Sequence, residues 1–357
     1  MKAGTSSRFS LEVFSGELES SGKDEWNAFV AQTPEGTFFH RYEWLHLNAI
    51  CLNAPAIIIQ VRRKDRLIGG FPCFVQRPWK TPLLCIDSLP MGFGGPILHR
   101  TNERRKVLDL MFDELDRLAV KHRAHLIQIR TTGISHLAYC CFLDSRGFSP
   151  VVRNCSFGID ICRPFSEAVS NFAPSTRRNL RKAEVSGLCV EECEPSVTWI
   201  GDFYDLYRKT MKRKGGVVRP KRLFESIPSS LGDNALLISG MHPEVQSPIA
   251  AMIHLLCHDS RTIYYFWGVS DPRFRSMRPN ELLHAWTIRW GADRGFARYD
   301  LGGTNADFEL GLYRFKRNLG GIPFANVFWL RSQTRWAFSF YQWGRRLYHI
   351  LRKLQRQ

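Results

Sequence analysis

One order of elements occurs twice in this chain, and that repeat limits what it can fold into. In residues 56–133, AIIIQV reads as a strand, RKDR as a turn and LIGGFPCFV as a second strand. The Gly-rich loop MGFGGPIL follows, then a helix with Val107, Leu110, Met111, Leu115 and Leu118 at helical spacing. LIQIR is next, a buried strand ended by TTG. In residues 234–304, NALLISG, PIAAMIHLLC and TIYYFWGVS read as strands. ELLHAWTIRWGADRG is a helix with Leu282, Leu283, Trp286 and Trp290 on its apolar face, and ARYDLGG is a strand ending in glycines. A hairpin feeding a helix and then a parallel strand makes a mixed α/β (α+β) unit. Two copies predict two similar domains, with a boundary near residues 150–170 in the polar stretch Arg153 to Arg163. Ligands of such sheets sit where strands end and helices begin. That points to residues 267–281 and 299–305, with GFGG as the counterpart in the first half.

A length of 357 residues suits two domains, each with its own core. The start of the chain shows no apolar signal region, and no apolar stretch approaches the roughly 20 residues of a membrane span. None of the ten cysteines forms a C-x-x-C pair, so reduced, mostly buried thiols in a cytosolic protein are expected. Cys189 and Cys193 have no matching second pair, so no metal site is expected. His254 and His258 fall in one strand and read as structural.

The formal charge of +17 predicts an anionic partner. It is concentrated. Residues 208–222, RKTMKRKGGVVRPKR, hold eight basic and no acidic residues, and residues 331–357 hold seven and none. Gly215 and Gly216 break the first block, which reads as a flexible loop. A third cluster, Arg178, Arg181 and Lys182 with Arg177, lies on a predicted helix where Arg178 and Lys182 share a face. With Arg213 and Lys214 these are candidates for diphosphate or tRNA phosphates. A solvated basic face is the alternative.

Three further strings carry a resemblance: TRRNLRKAEVSGLCV at 176–190, ARYDLGGTN at 297–305 and GLYRFKRNLGG at 311–321. TPEGTFFHRYEW at 33–44 and GFGGPI at 92–97 support them. Together, in this order, they resemble the Fem family of peptidyl and aminoacyl transferases within the GNAT acyltransferase superfamily. The resemblance runs from about residue 25 to 330. It implies two tandem GNAT-like domains, each a mixed, mostly antiparallel sheet flanked by helices. The expected division is residues 1–160, residues 161–330 with the acyl-transfer site, and a basic C-terminal helix at 331–357. It also implies transfer of an acyl or aminoacyl group to an amine. The expected donor is aminoacyl-tRNA or acyl-CoA, with no tightly bound cofactor. The sequence departs from the family in two places. It has no long helical-hairpin insertion of the kind that reaches tRNA. Where common GNAT enzymes have a Gly-rich pyrophosphate turn, it reads Arg275-Ser276-Met277-Arg278-Pro279-Asn280. Arg275 and Arg278 are then candidates to bind phosphate by side chain.

Acyl transfer to an amine passes through a tetrahedral oxyanion and releases a proton. Lys316, in the phenylalanine–lysine element that the resemblance marks as functional, is the candidate for charge stabilisation. An exposed helix lysine is the alternative. Asp300 is the candidate to orient the amine or take its proton, with capping of the following turn as the alternative. Gly302 and Gly303 are expected to allow close approach of a ligand or backbone. Alternation puts Tyr265 and Trp267 on one face of their strand, lining the pocket or packing in the core.

Trp336, Phe340, Trp343, Leu347, Ile350 and Leu354 recur at helical spacing with arginines and lysine beside them. Such a helix suits an anionic membrane face, or packs its stripe on the first domain. The expected protein is a cytoplasmic acyltransferase, peripheral at the inner membrane face. Its acceptor would be an amine on a phosphorylated or lipid-linked envelope or exopolysaccharide precursor, with tRNA as a further partner. A coenzyme A-dependent N-acetyltransferase of a small molecule and a non-catalytic RNA- or membrane-binding protein are the competing readings.

Overall fold

Runs of β-branched and aromatic residues set the strands, and 3.6-residue periodicity sets the helices, in a computed structural model of the chain. The structure describes residues 9–78, 82–133, 135–334, 336–337, 339–340 and 344. The chain divides into two compact units, Met1–Val152 with Val327–Gln357, and Arg153–Asn326.

The first unit contains β1 (Ser10–Ser15), α1 (Ser20–Gln32), α2 (Tyr42–Leu52), β2 (Ile57–Arg63), β3 (Arg66–Gln76), β4 (Cys85–Asp87), β5 (Ile97–Leu98), α3 (Arg104–Lys121), β6 (Leu126–Thr132) and α4 (Cys140–Ser145). The sheet order is β1-β2-β3-β4-β6, and β5 pairs with β3. The predicted hairpin is β2–β3, and α3 carries the chain from β4 to its parallel neighbour β6. The helix buries Val107, Met111, Phe112, Leu115 and Leu118 against the sheet. Phe112 is fully buried, with its ring edge-on to Phe71, Phe142 and Phe148. Trp336 packs edge-on against His125, and Ala337 is buried with Leu83, Cys85, Leu126 and Leu330. The rest of the predicted C-terminal stripe, from Trp343 onward, lies outside the described residues.

The chain enters the second unit within β7 (Ser149–Asp160). There follow α5 (Phe165–Ser170), α6 (Pro174–Glu184), β8 (Cys189–Glu192), α7 (Val197–Lys214), α8 (Lys221–Glu225), α9 (Ile227–Leu231), β9 (Ala235–His242), β10 (Val245–Cys257), β11 (Thr262–Ser270), α10 (Pro279–Asp293), β12 (Arg298–Asn305) and α11 (Gly311–Asn318). The chain leaves the unit within β13 (Ile322–Ser332). The sheet order is β7-β12-β11-β10-β9-β8, with β11 and β12 the parallel pair. As in the first unit, a helix links a strand to its parallel neighbour, here β11 through α10 to β12. Both sheets are mixed and mostly antiparallel, flanked by helices, as the resemblance implies.

Three local expectations are corrected. The basic block 208–222 is not one flexible loop. Residues 208–214 finish α7, which ends on Gly215 at φ +61°, and only 215–220 are loop before α8. His258 lies in the turn after β10, not in the strand with His254. All ten cysteines are free, but Cys141, Cys162 and Cys189 are exposed. Among the described residues, no helix is long and apolar enough to cross a membrane.

Replacing Phe112 with Ala should cost about 3–5 kcal/mol, the usual cost of emptying a buried phenylalanine site. A lowered midpoint in chemical denaturation checks this.

Candidate active site

β11 and β12 run together only briefly. They pair from Thr262↔Arg298 to Tyr264↔Asp300 and then part. Each strand has an irregularity there. The pairing of β12 with β7 shifts register between Asp300 and Gly303, and Gly302 adopts φ +72°. A side chain at Gly302 would place its Cβ 2.9 Å from the Tyr265 carbonyl oxygen, so only glycine fits. The pairing of β11 with β10 shifts between Ile253 and His254, leaving Phe266 as the extra residue of a bulge.

The bulge corrects the expected alternation. Tyr265 sits opposite His254 and Trp267 opposite Ile253, so the two rings face opposite sides of the sheet. Tyr265 packs edge-on against His284 of α10, with ring centroids 4.7 Å apart. Trp267 packs against Phe224 of α8 at 5.1 Å. A Cβ on Gly268 would overlap the Tyr265 hydroxyl, so this glycine seats the ring.

Lys316 of α11 reaches the point where the strands part. It is 4% exposed, and its Nζ donates to the Gly302 carbonyl at 2.8 Å and the Gly303 carbonyl at 3.0 Å. Burial lowers its pKa to about 8. Asp300 and Cys155 oppose that shift, and Lys214 adds to it. The alternative of an exposed helix lysine is therefore corrected. Asp300 is 8% exposed, and its Oδ1 accepts the Gly302 N–H at 2.8 Å, the turn-capping bond. Burial raises the carboxyl's pKa, against the pull of Arg298 and Lys316. Arg298 lies 3.9 Å from Oδ2.

Lys214, at the end of α7, extends the site's positive field. Its pKa is lowered by desolvation, then by Arg213 and Arg275. The structure thus gathers Lys316, Asp300, Gly302 and Gly303 directly, and Lys214, Arg213 and Arg275 through their field. Arg278 caps α10 at φ +61°, so the turn that lacks glycine still takes a left-handed residue. Its Nε is buried without a hydrogen-bond partner. Arg178, Arg181 and Lys182 are exposed on α6 and form no ion pair among the described residues. Their helix joins the site's scaffold through Asn179, which donates to the buried Glu281 in the first turn of α10 at 3.0 Å.

Sequence reasoning missed the layer behind the site. The Tyr299 hydroxyl lies 2.7 Å from His284 Nδ1 and 3.1 Å from His254 Nε2. It can donate to one ring and accept from the other. Burial holds both imidazoles neutral, His254 at a pKa of about 3 and His284 well below its ordinary value. Ser156 and Asn326, both buried, are bonded to each other beside Gly303. The only sequence hint was polar residues inside otherwise apolar runs. Among the described residues, no group of three or more His, Cys, Asp or Glu could hold a metal ion.

Comparison with known proteins adds to this geometry. Residues 170–317 match the family model of the acetyltransferase (GNAT) domain. A solved FemX structure superimposes with a TM-score of 0.70 at 17% identity, covering 93% of this chain and 99% of that one. This chain has a Fem-like GNAT fold. L-PGS from Bacillus licheniformis gives a TM-score of 0.60 at 11% identity, covering 92% and 97%. A tandem GNAT protein from the clavulanic acid biosynthesis pathway gives 0.59 at 12%, covering 90% and 98%. No curated protein sequence matches significantly.

Tyr299→Phe should destabilise the second unit by about 1–3 kcal/mol, because it removes the hydroxyl bonded to the buried His284 Nδ1 and leaves His254 Nε2 to the longer contact with Thr287 Oγ1 at 3.5 Å. Gly302→Ala should cost about 1–3 kcal/mol of backbone strain. Thermal denaturation of both variants tests these values.

Proposed function

We propose that the chain is an acyltransferase that moves an acyl or aminoacyl group onto an amine of a cell-envelope or exopolysaccharide precursor, on the cytoplasmic side. The observation that carries the reading is Lys316. Its ammonium is buried where two strands part, and two glycine carbonyls hold it. Two of its three N–H bonds are committed to the protein. The third is available to a developing oxyanion in a site of low dielectric, where such a donor acts most strongly.

In this reading the acceptor amine attacks the donor's acyl carbonyl directly. The carbon–nitrogen bond forms, the oxyanion is held by Lys316, and collapse breaks the bond to the donor oxygen or sulfur, which leaves as the alcohol or thiol by taking up the proton that Asp300 has accepted from the amine. Asp300 takes the proton that the amine loses. Its raised pKa brings it nearer the range useful for a base. Lys214, Arg213 and Arg275 hold the phosphates of the donor or acceptor. No covalent enzyme intermediate is required. The donor is aminoacyl-tRNA or acyl-CoA, and a side-by-side thermal-shift comparison with charged tRNA and acetyl-CoA separates them. The GNAT match over residues 170–317 favours, as second reading, a coenzyme A-dependent N-acetyltransferase of a small molecule.

Lys316→Ala should lower turnover roughly 10²–10³-fold, the usual cost of losing one oxyanion donor, and should also lower the melting temperature, because two glycine carbonyls lose their donor, so turnover is compared well below that temperature. A variant with full activity contradicts the role of Lys316, whereas a wild type without turnover on either donor points to a non-catalytic binding protein. Activity should fall as pH rises through about 8, where Lys316 loses its charge. Lys316→Arg removes that titration, so whatever activity it retains should lack this alkaline limb.

A further inference from the structure

The loop 215–220 has a feature that phosphate binding in the active site does not use. Gly215 ends α7 at φ +61°, and the Gly216 N–H closes back on the Met211 carbonyl at 2.8 Å. Two tyrosines of α7 then hold the loop in shape. The Tyr207 hydroxyl donates to the Val217 carbonyl at 3.3 Å and accepts the Arg219 N–H at 3.2 Å. The Tyr204 hydroxyl donates to the Arg219 carbonyl at 3.1 Å. Because the backbone is held from below, the Val217 and Val218 side chains stand in solvent, 56% and 38% exposed. Lys212, Arg213, Lys221 and Arg222, which flank them in the chain, are exposed. Among the described residues, Glu225 pairs with Lys221 at 3.2 Å, and Asp271 lies in the field of Lys209.

We propose that the loop 215–220 docks the protein onto an anionic lipid bilayer, its two valines entering the interface between flanking lysines and arginines. Charge complementarity and an apolar tip favour this partner. Basic residues near an anionic leaflet are attracted to it, and exposed aliphatic side chains gain by leaving water. RNA would use the charge but gains little from two valines, and 215–222 contains no aromatic ring on which a base could stack. The loop follows directly on Lys214, whose field reaches Lys316, so docking sets the acyl-transfer site close to the membrane. The acceptor class is then a lipid-borne amine. That part of the inference rests on the acyltransferase reading, whereas the docking itself does not.

Co-sedimentation of the full chain tests it, using vesicles of phosphatidylcholine with and without phosphatidylglycerol and single-stranded RNA as the other arm. Wild type should bind the phosphatidylglycerol vesicles, release them at high salt and ignore pure phosphatidylcholine. Val217→Asp with Val218→Asp should lower partitioning about tenfold or more at unchanged melting temperature. Val217→Ser with Val218→Ser should fall between the two. Lys316→Ala should bind as wild type does, which separates this test from that of the catalytic reading. Equal binding by wild type and the double-aspartate variant overturns the proposal. So does wild-type binding to RNA but to neither vesicle.

Discussion

The second unit depends on one buried contact, the Lys316 amine bonded to the carbonyls of Gly302 and Gly303. Where β11 and β12 part, neighbouring strands can no longer satisfy each other's backbone. An unpaired buried carbonyl costs about as much as a lost hydrogen bond. Lys316 supplies the donors and brings a charge to that point. The irregular residues around it serve the same opening. Gly302 takes a conformation closed to side chains, the Phe266 bulge turns β11, and Asp300 caps the turn.

The electrostatics follow from this placement. An ammonium 4% exposed is costly to bury, and its pKa falls to about 8. Asp300, also buried, moves the other way. Burial outweighs the attraction between the two charges, so two groups of opposite role sit nearer to neutral pH than either would in water. For stability the sign is fixed. Between about 8 and 10.5 the unfolded chain holds a proton on Lys316 that the native state has released, so this group adds stability as pH rises through that window.

Much of this was legible in the sequence because it is local. Hairpin, helix and parallel strand each show their period within a short window, and the repeat set the same order twice. Lys316 and the Gly302–Gly303 pair stood in strings that resemble the Fem family. What escaped was non-local or hidden by composition. A single extra residue, Phe266, turns Tyr265 and Trp267 to opposite faces, and nothing in TIYYFWGVS marks it. Arg278 takes a left-handed conformation where glycine would be expected. The basic run through Lys214 reads as a loop because Gly215 and Gly216 break it, yet α7 carries it and stops at Gly215. Tyr299 joins His254 and His284 from distant parts of the chain, a contact that no spacing announces.

The most direct test of the central claim is the titration of Lys316 itself. Nuclear magnetic resonance of the protein with isotope-labelled lysine side chains, assigned by comparison with Lys316→Arg, reads the Nζ protonation state against pH. A buried amine held by two carbonyls should titrate near 8, apart from the surface lysines. Titration at the ordinary lysine value of 10.5 would show the amine to be solvated, and the account of the site built on it would fail.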